Sequence, residues 1–253
     1  MNSQIHNVKT REKIFHDKRF INDKRKSLNI IYDFNKPVKE FFNNIVNKNV
    51  SGKKILELGC GIGINTIAIS EKGADATGID ISSEAISRAK NTAQEHNANV
   101  QYYEMAIEDM SFNEHSFDKI FGSGILHHTD LSNSLYQIKR VLKEDGQAIF
   151  FEPLGHNPLI NLFRKLTPSL RSVDEHPLLM QDFDLIKKIF PNTIYSYFHL
   201  STFLIFPFIK SGLFMNLFNK FNKLDKLIFE KISFIKKYAW IVIIQINNQS
   251  ANN

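Results

Sequence analysis

Short apolar runs recur along the chain, and longer stretches with apolar side chains every three or four residues separate them. Short runs are typical of buried strands, whereas the longer spacing is typical of amphipathic helices. The pattern predicts seven strands, at residues 55–58, 75–80, 100–105, 117–123, 146–152, 193–200 and 238–246. Because helical patterns alternate with the first strands, we expect an α/β fold with a mostly parallel sheet.

The residues before the first strand carry a different pattern. Residues 10–47 are predicted as one or two amphipathic helices, whose apolar face consists mainly of phenylalanine and isoleucine. Pro37 lies within this stretch, and a proline removes one backbone hydrogen bond of a helix, so we place a break there. We therefore divide the chain into an N-terminal helical cap, residues 1–50, and a main domain, residues 51–253.

The segment 201–237, between the last two predicted strands, is both apolar and basic. Its apolar side chains recur at steps of three and four residues, which predicts one helical stripe. The stripe consists of Leu213, Leu217, Phe221, Leu224, Ile228, Ile232 and Ile235. Lysines occupy many positions between them, so the helix either covers the substrate side as a lid, which we favour, or lies on an anionic membrane surface.

A glycine-rich turn follows the first predicted strand. Glycines stand at 59, 61 and 63, and a helical pattern begins at Ile64. Glycine allows a tight turn and close approach of a ligand, and the start of a helix offers free N–H groups. The spacing differs from the dinucleotide pattern GxGxxG, and the carboxylate of Glu57 would repel a pyrophosphate. A ligand with an ammonium group and no phosphate fits better.

The set Glu57, Gly59, Gly61 and Gly63 resembles motif I of the class I S-adenosylmethionine-dependent methyltransferases. Together with the later strands, the resemblance covers about residues 50–155. It implies a Rossmann-like sheet of seven strands, mostly parallel with an antiparallel last strand. Helices would cover both faces, and a helical insertion would separate strands six and seven. It also implies S-adenosylmethionine as the methyl donor and S-adenosylhomocysteine as a product.

The resemblance also implies which residues contact this cofactor. Asp80 ends the second strand about twenty residues past the glycines, where a carboxylate can bind both ribose hydroxyls. Residues 106–112 resemble the family's adenine loop, although Ala106 stands where that family often has an acid. The predicted cofactor contacts are Glu57, Gly59, Gly61, Gly63, Asp80, Ile81, Ile107 and Glu108.

Histidines supply the candidates for acid–base chemistry. Methyl transfer to a hydroxyl benefits from a base, and histidine suits that role near neutral pH. We predict His128 and His156, which follow the fourth and fifth strands, as catalytic residues. The predicted substrate contacts are His16, His127, Arg171 and His176. Adjacent histidines face different ways and no further set of ligands has metal-site spacing, so no metal site is predicted.

Composition narrows the function further. The chain has 253 residues, 43% of them hydrophobic, which suits one α/β domain with additions, including a substrate-side insert at about residues 153–181. The net charge of +6 is spread out, and no nucleic-acid module is appended. We therefore favour a small-molecule or lipid-like acceptor with an oxygen or nitrogen nucleophile. An RNA or protein methyltransferase, or a non-catalytic S-adenosylmethionine-binding protein at a membrane, is the alternative.

The cellular location follows from what the sequence contains. It has one cysteine, Cys60, and no apolar core of a signal peptide. No uninterrupted apolar run reaches the ~18 residues of a membrane span. We expect a cytoplasmic protein, with peripheral membrane contact through 201–237 as an alternative; the sequence does not determine the oligomeric state.

Overall fold

The computed structural model describes residues 2–22, 29–168 and 172–248, and side chains within 8–18, 30–168 and 172–248. Seven strands form one sheet in the order β3-β2-β1-β4-β5-β7-β6. The strands are β1 (Lys54–Leu58), β2 (Asp75–Asp80), β3 (Val100–Glu104), β4 (Phe117–Ser123), β5 (Leu142–Pro153), β6 (Thr193–Phe198) and β7 (Ile241–Asn247). β7 runs antiparallel to both of its neighbours, and the other pairs are parallel. The predicted sheet is thereby confirmed.

Helices cover both faces of this sheet. They are α1 (Asn2–Asn22), α2 (Asn29–Val46), α3 (Ile64–Ser70), α4 (Ser83–Glu95), α5 (Leu131–Val141), α6 (Pro158–Leu166), α7 (Met180–Ile189) and α8 (Phe214–Lys231). Successive strand residues point to opposite faces, so Ile120 and Phe121 of β4 belong to two different clusters of the core. α5 and α7 pack on the face of Ile120, whereas α2 and α8 pack on the face of Phe121.

The pairing of β1 creates the crevice in which a ligand can bind. β1 pairs in parallel with β2 on one side and with β4 on the other. The strand order reverses between β1 and β4, so a crevice lies between the connection that follows β1 and the connection that follows β4. Open α/β sheets bind ligands at this switch point, beyond the carboxyl ends of the strands.

The N-terminal helices differ from the predicted break. α2 continues through Pro37, and it ends at Val46. Phe34, Val38 and Phe42 lie on one side of α2 and are at most 1% exposed. Burial of these side chains contributes several kcal/mol, about as much as an internal proline costs a helix. The burial of this face explains why the helix continues past the proline.

The insertion between β6 and β7 is helical, as predicted, but its buried face is not the predicted stripe. In α8 the buried residues are Phe214, Phe218, Asp225 and Phe229. Leu213 and Leu224, which belong to the predicted stripe, are 58% and 45% exposed. Leu217 and Phe221 of the stripe are partly buried against the core, so the buried face is shifted from the predicted stripe, and it includes Asp225. The carboxylate of Asp225 accepts the N–H groups of Leu200 and Ser201, at 3.0 and 2.8 Å, so its burial is compensated.

The division into a cap and a main domain stays a prediction. In the described part of the chain, none of the helices combines the length and the hydropathy that crossing a membrane requires.

Candidate functional site

A cavity of about 910 Å³ lies beyond the carboxyl ends of the parallel strands. Its walls come from α1, α2, the turns after β1 to β4, and the segment after β5. Pro153, Ile160, Phe163, Arg164 and Glu175 of the predicted substrate-side insert line it. No residue of 201–237 does so. The N-terminal helices, rather than the predicted lid, therefore cover this cavity.

The glycine turn after β1 forms one wall. Gly59 and Gly61 line the cavity, and their φ angles are 67° and 56°, in the left-handed region that favours glycine. A Cβ at Gly59 would lie 2.7 Å from Cδ1 of Ile125, so the turn also requires glycine for space. Gly63 has φ 82° at the start of α3 and contacts Tyr102, but it does not line the cavity. Of the three predicted glycine contacts, two therefore face the site.

Glu57 lies beneath the glycine turn. It is 2% exposed and does not line the cavity. Asn65 donates to its Oε1 at 2.8 Å, and the hydroxyl of Thr66 donates to its Oε2 at 2.5 Å. Burial raises the pKa of Glu57 to about 7, although the bonds from Thr66 and Asn65 oppose that change. The structure thus shows that Glu57 joins the end of β1 to the first turn of α3, and its contact with the cofactor stays a prediction.

Asp80 lies at the carboxyl end of β2 and lines the cavity. Its carboxylate accepts the N–H of Gly61 and the N–H of Ser82, both at 2.9 Å. Burial raises the pKa of Asp80, and the two N–H groups partly offset that effect. The hydroxyl of Ser82 caps α4 by accepting the N–H of Ala85. Asp80 is therefore held between two turns with its carboxylate at the cavity wall.

The predicted adenine loop forms the next part of the wall. Ile81, Ile107 and Glu108 all line the cavity. Ile107 begins a short 3-10 helix, Ile107–Asp109, and is 5% exposed. Oε1 of Glu108 accepts the N–H of Asp130 at 3.1 Å, so this loop is tied to the start of α5. The six predicted cofactor contacts other than Glu57 and Gly63 thus share one continuous surface.

A group of three ionisable residues also lines the cavity. Oε2 of Glu12 is 3.1 Å from Nδ1 of His128 and 3.4 Å from Nε2 of His16. Burial opposes ionisation of Glu12, but the two histidines more than offset it, so its pKa lies below the usual range. Burial, followed by the charge of His127, lowers the pKa of His128. His16 and His128 were predicted to face the site; Glu12 was not.

A second buried carboxylate holds the turn that carries His127 and His128. Glu152, at the end of β5, has no exposed surface. It accepts the N–H groups of Ile125 and Leu126, each at 2.9 Å, and Nδ1 of His127 donates to it at 2.7 Å. His127 lines the cavity, as predicted, but this bond occupies one of its ring nitrogens.

The remaining predicted residues are not brought into the cavity. His156 is outside its lining, and Nε2 of His156 accepts the N–H of Met180 at 3.2 Å. His176 is also outside, with Nδ1 donating to the carbonyl of His127 at 3.1 Å. His156 lies between β5 and α6, and His176 lies between α6 and α7. Each ring is bonded to a backbone atom of another segment. Arg171 lies outside the described residues.

Sequence reasoning missed Lys39 as well as Glu12. Lys39 of α2 lines the cavity, and its Nζ donates to the hydroxyl of Ser123 at 2.5 Å. Burial lowers the pKa of Lys39 to about 8, against the opposing charges of Glu57 and Glu152. No local motif marked Lys39, since it is one of several lysines in an amphipathic helix. Glu12 and His16, however, have the i, i+4 spacing that places two side chains on one helical face.

Comparison with known proteins agrees with this geometry. Residues 55–146, which run from β1 into β5, match a family model described as "Methyltransferase domain". This match, over 92 of the 253 residues, agrees with the resemblance to the class I S-adenosylmethionine-dependent methyltransferases. The matched range contains the glycine turn, Asp80 and the turn of His127 and His128.

Curated relatives of this methyltransferase domain have a common name. A "Ubiquinone biosynthesis O-methyltransferase" of Pseudomonas fluorescens (strain Pf0-1) is 33% identical over 117 residues, 46% of this chain and 50% of the relative. An enzyme of the same name from Nitrosococcus oceani is 31% identical over 134 residues, 53% of this chain and 56% of the relative. The chain spans about half the length of the curated relatives it matches.

Solved structures resemble most of the chain in fold. One is magnesium protoporphyrin IX methyltransferase (ChlM) from Synechocystis PCC 6803 with bound SAH, with a TM-score of 0.62 at 13% identity. The alignment covers 96% of this chain and 100% of the ChlM chain. Phosphoethanolamine N-methyltransferase 2 of Haemonchus contortus has a TM-score of 0.58 at 21% identity, covering 82% of this chain and 52% of its own. At these identities the likeness concerns the fold.

Glu57 should make the stability of the protein depend on pH. Burial raises its pKa in the folded state from 4.5 to about 7. Its contribution is therefore complete below about pH 4.5 and is lost as the pH rises through about 7. Between about pH 5 and pH 8, the wild type should lose about 2 to 3 kcal/mol of unfolding free energy relative to Glu57→Gln. Urea unfolding at both pH values measures this difference.

The matched control is Glu71→Gln, at an exposed carboxylate at the end of α3. This variant should follow the wild type at every pH. If Glu57→Gln also follows the wild type, Glu57 does not titrate in the folded protein as its burial implies.

Proposed function

We propose that this protein transfers a methyl group from S-adenosylmethionine to a hydroxyl of a small, partly apolar acceptor. One observation carries the proposal: a single cavity joins the wall of Gly59, Gly61 and Asp80 to the cluster of Glu12, His16 and His128. The first part suits the cofactor, and the second lies where an acceptor would meet it. The names of the curated relatives support an oxygen acceptor, and a nitrogen nucleophile is the alternative.

The residues of the first wall fit the cofactor. The backbone at Gly59 and Gly61 carries no side chain, so a ligand can approach it closely. The carboxylate of Asp80 is fixed by two N–H groups, and its remaining lone pairs can accept the two ribose hydroxyls. The apolar side chains of Ile81 and Ile107 can enclose the adenine ring. Glu57 would act through the turn that it supports.

The acceptor half of the cavity is partly apolar. Phe151, Ile160, Phe163 and Trp240 line it, and Lys39 adds one cation. Rings and aliphatic chains fit such a surface, because apolar contact area drives their binding. The acceptor would enter beneath α1 and α2, whose side chains separate the reacting atoms from water.

Methyl transfer mainly requires that the acceptor and the methyl donor be aligned. S-adenosylmethionine supplies a methyl group that its sulfonium has already activated. The acceptor oxygen attacks the methyl carbon, the bond from that carbon to sulfur breaks, and its electron pair stays on sulfur. The products are the methylated acceptor, S-adenosylhomocysteine and one proton. The walls position the two reactants in line, which is the largest contribution a protein can make to such a step.

Asp80→Ala should weaken the binding of S-adenosylmethionine about tenfold to hundredfold, because hydrogen bonds to a charged group contribute about 1.5–3 kcal/mol. Isothermal titration calorimetry measures this change in Kd. Asp75→Ala is the matched control, since Asp75 is an exposed residue at the other end of β2. Unchanged affinity in a folded Asp80→Ala protein would overturn the ribose assignment.

Methyl transfer itself can be followed with S-adenosylmethionine labelled in its methyl group. The full chain would be incubated with extract fractions that contain lipids, small polar molecules, polysaccharide, protein or RNA. Label should appear among the lipids or small molecules. His128→Ala should lower the rate about a hundredfold or more while S-adenosylmethionine still binds.

His156→Ala is the control, since the structure places His156 outside the cavity. Label in RNA or protein would contradict the proposed acceptor class. Absence of label in every fraction, with tight cofactor binding, would favour a binding protein without catalysis.

We also infer a peripheral membrane contact through 201–237. Leu204, Leu227 and Phe234 are 71%, 54% and 71% exposed. Lys220, Lys223 and Lys226 are exposed along α8 beside such side chains. Exposed apolar groups among lysines suit a surface of anionic lipid headgroups over acyl chains. A lipid-like acceptor could then reach the protein from that surface.

Sedimentation with vesicles tests this contact. The wild type should bind vesicles that contain phosphatidylglycerol and bind uncharged phosphatidylcholine vesicles less. Replacing Leu227 and Phe234 by serine should reduce binding, whereas Tyr136→Ser, at a 65% exposed residue of α5, should not. Equal binding of all three proteins would contradict a contact through this segment.

A further inference from the structure

Glu12, His16 and His128 come together from two distant parts of the chain. Glu12 and His16 lie one turn apart on α1, and His128 follows β4. Their potential ligand atoms all lie within 4.8 Å of one another. The rings of His16 and His128 meet edge to face, with centroids 5.1 Å apart. One carboxylate oxygen and two imidazole nitrogens therefore converge on one point of the cavity wall.

The spacing of these atoms matches the first coordination sphere of a metal. Ligands about 2.1 Å from a cation, at angles from octahedral to tetrahedral, lie about 3.0 to 3.4 Å apart. Oε2 of Glu12 is 3.1 Å from Nδ1 of His128 and 3.4 Å from Nε2 of His16. Two of the three interatomic distances thus suit a shared cation, and all three atoms lie within 4.8 Å of one another.

Hydrogen bonding does not account for the cluster. Glu12 is 3% exposed, and in the described structure neither of its carboxylate oxygens has a hydrogen-bond partner. Nδ1 of His128 also lacks one, although it lies near Oε2. Buried polar groups normally have a hydrogen-bond partner of good geometry. A cation between these atoms would give Oε2 of Glu12 and Nδ1 of His128 a partner that the two nearby histidines do not supply as a hydrogen bond.

A second group of potential metal ligands differs from this cluster, because its members have other partners. His127, His128 and Glu175 also lie within 4.8 Å of one another. There, however, Nδ1 of His127 is 2.7 Å from Glu152, and Glu175 is 2.7 Å from a nitrogen of Arg164. These residues already have partners of opposite charge or hydrogen-bonding partners. The cluster that contains Glu12 is therefore the stronger candidate.

We infer that Glu12, His16 and His128 bind one divalent transition-metal cation, of the Zn²⁺, Co²⁺ or Mn²⁺ class. Two histidines and one carboxylate are a ligand set that such cations prefer, and three protein ligands leave positions open. The open positions face the cavity. This proposal differs from the expectation of no metal, which did not consider the pair on α1.

The cation would bind the acceptor oxygen. This role rests on the proposed function. A hydroxyl bound to a divalent cation loses its proton more readily. The O–H bond breaks, the proton passes to solvent, and the electron pair remains on the oxygen that attacks the methyl carbon. His128 then acts as a ligand, which replaces its predicted role as the proton acceptor. Metal binding also ties α1 to the turn after β4.

The test uses chelator-treated full-length protein and Co²⁺ as the probe. Titration should produce the visible absorption bands of protein-bound Co²⁺ and saturate at one ion per chain. Glu12→Gln and His16→Ala should each weaken binding about tenfold or more, because each removes one of three ligands. Glu40→Gln, at an exposed carboxylate that lines the same cavity, and His96→Ala, at an exposed histidine after α4, should bind Co²⁺ as the wild type does.

Folding and function can be separated from metal binding. Co²⁺ should raise the Tm of the wild type more than that of Glu12→Gln at the same concentration, while circular dichroism confirms that both are folded. Lack of saturable Co²⁺ absorption, or equal binding by Glu12→Gln, would overturn the metal site. S-adenosylmethionine binding is measured separately, without metal. Metal binding without methyl transfer would count against the proposed function but not against this site.

Discussion

The structure depends on the position of β1 between β2 and β4. Parallel pairing on both sides brings the carboxyl ends of these strands to one edge of the sheet. The turns that leave β1, β2 and β4 are thereby placed side by side, although about 70 residues of chain separate the first from the last. Gly59, Asp80 and His128 meet in one cavity for this reason.

Three buried carboxylates then hold the turns in place. Glu57 binds the first turn of α3, Asp80 links the turns after β1 and β2, and Glu152 binds the turn after β4. Each carboxylate receives at least two donors, which compensates for its removal from water. Turns without regular hydrogen bonding are otherwise the most mobile parts of a fold. The carboxylates make them a fixed wall against which a cofactor can be aligned.

The N-terminal helices complete the site. α2 is anchored by Phe34, which stacks on His199 with a centroid distance of 4.5 Å, and it brings Lys39 to the cavity. α1 is joined to the main domain by charged contacts, including Arg11 with Asp174 at 2.7 Å. A helix with few buried apolar contacts opens more readily than one that is packed into the core. If a metal links α1 to the core, closing the cavity and preparing the acceptor become one event.

The sequence by itself determined the sheet, the glycine turn and the place of Asp80, because apolar runs, glycines and strand ends are local features. Only the tertiary structure decided which side chains face the cavity. It moved Glu57 beneath the turn, left His156 and His176 outside, and brought in Lys39 and Glu12. It also showed that Phe214, Phe218, Asp225 and Phe229, rather than the predicted stripe, are the buried residues of α8. The physical reason is that the direction a side chain faces, and the group to which it bonds, depend on how helices distant in sequence pack. No local pattern encodes that packing.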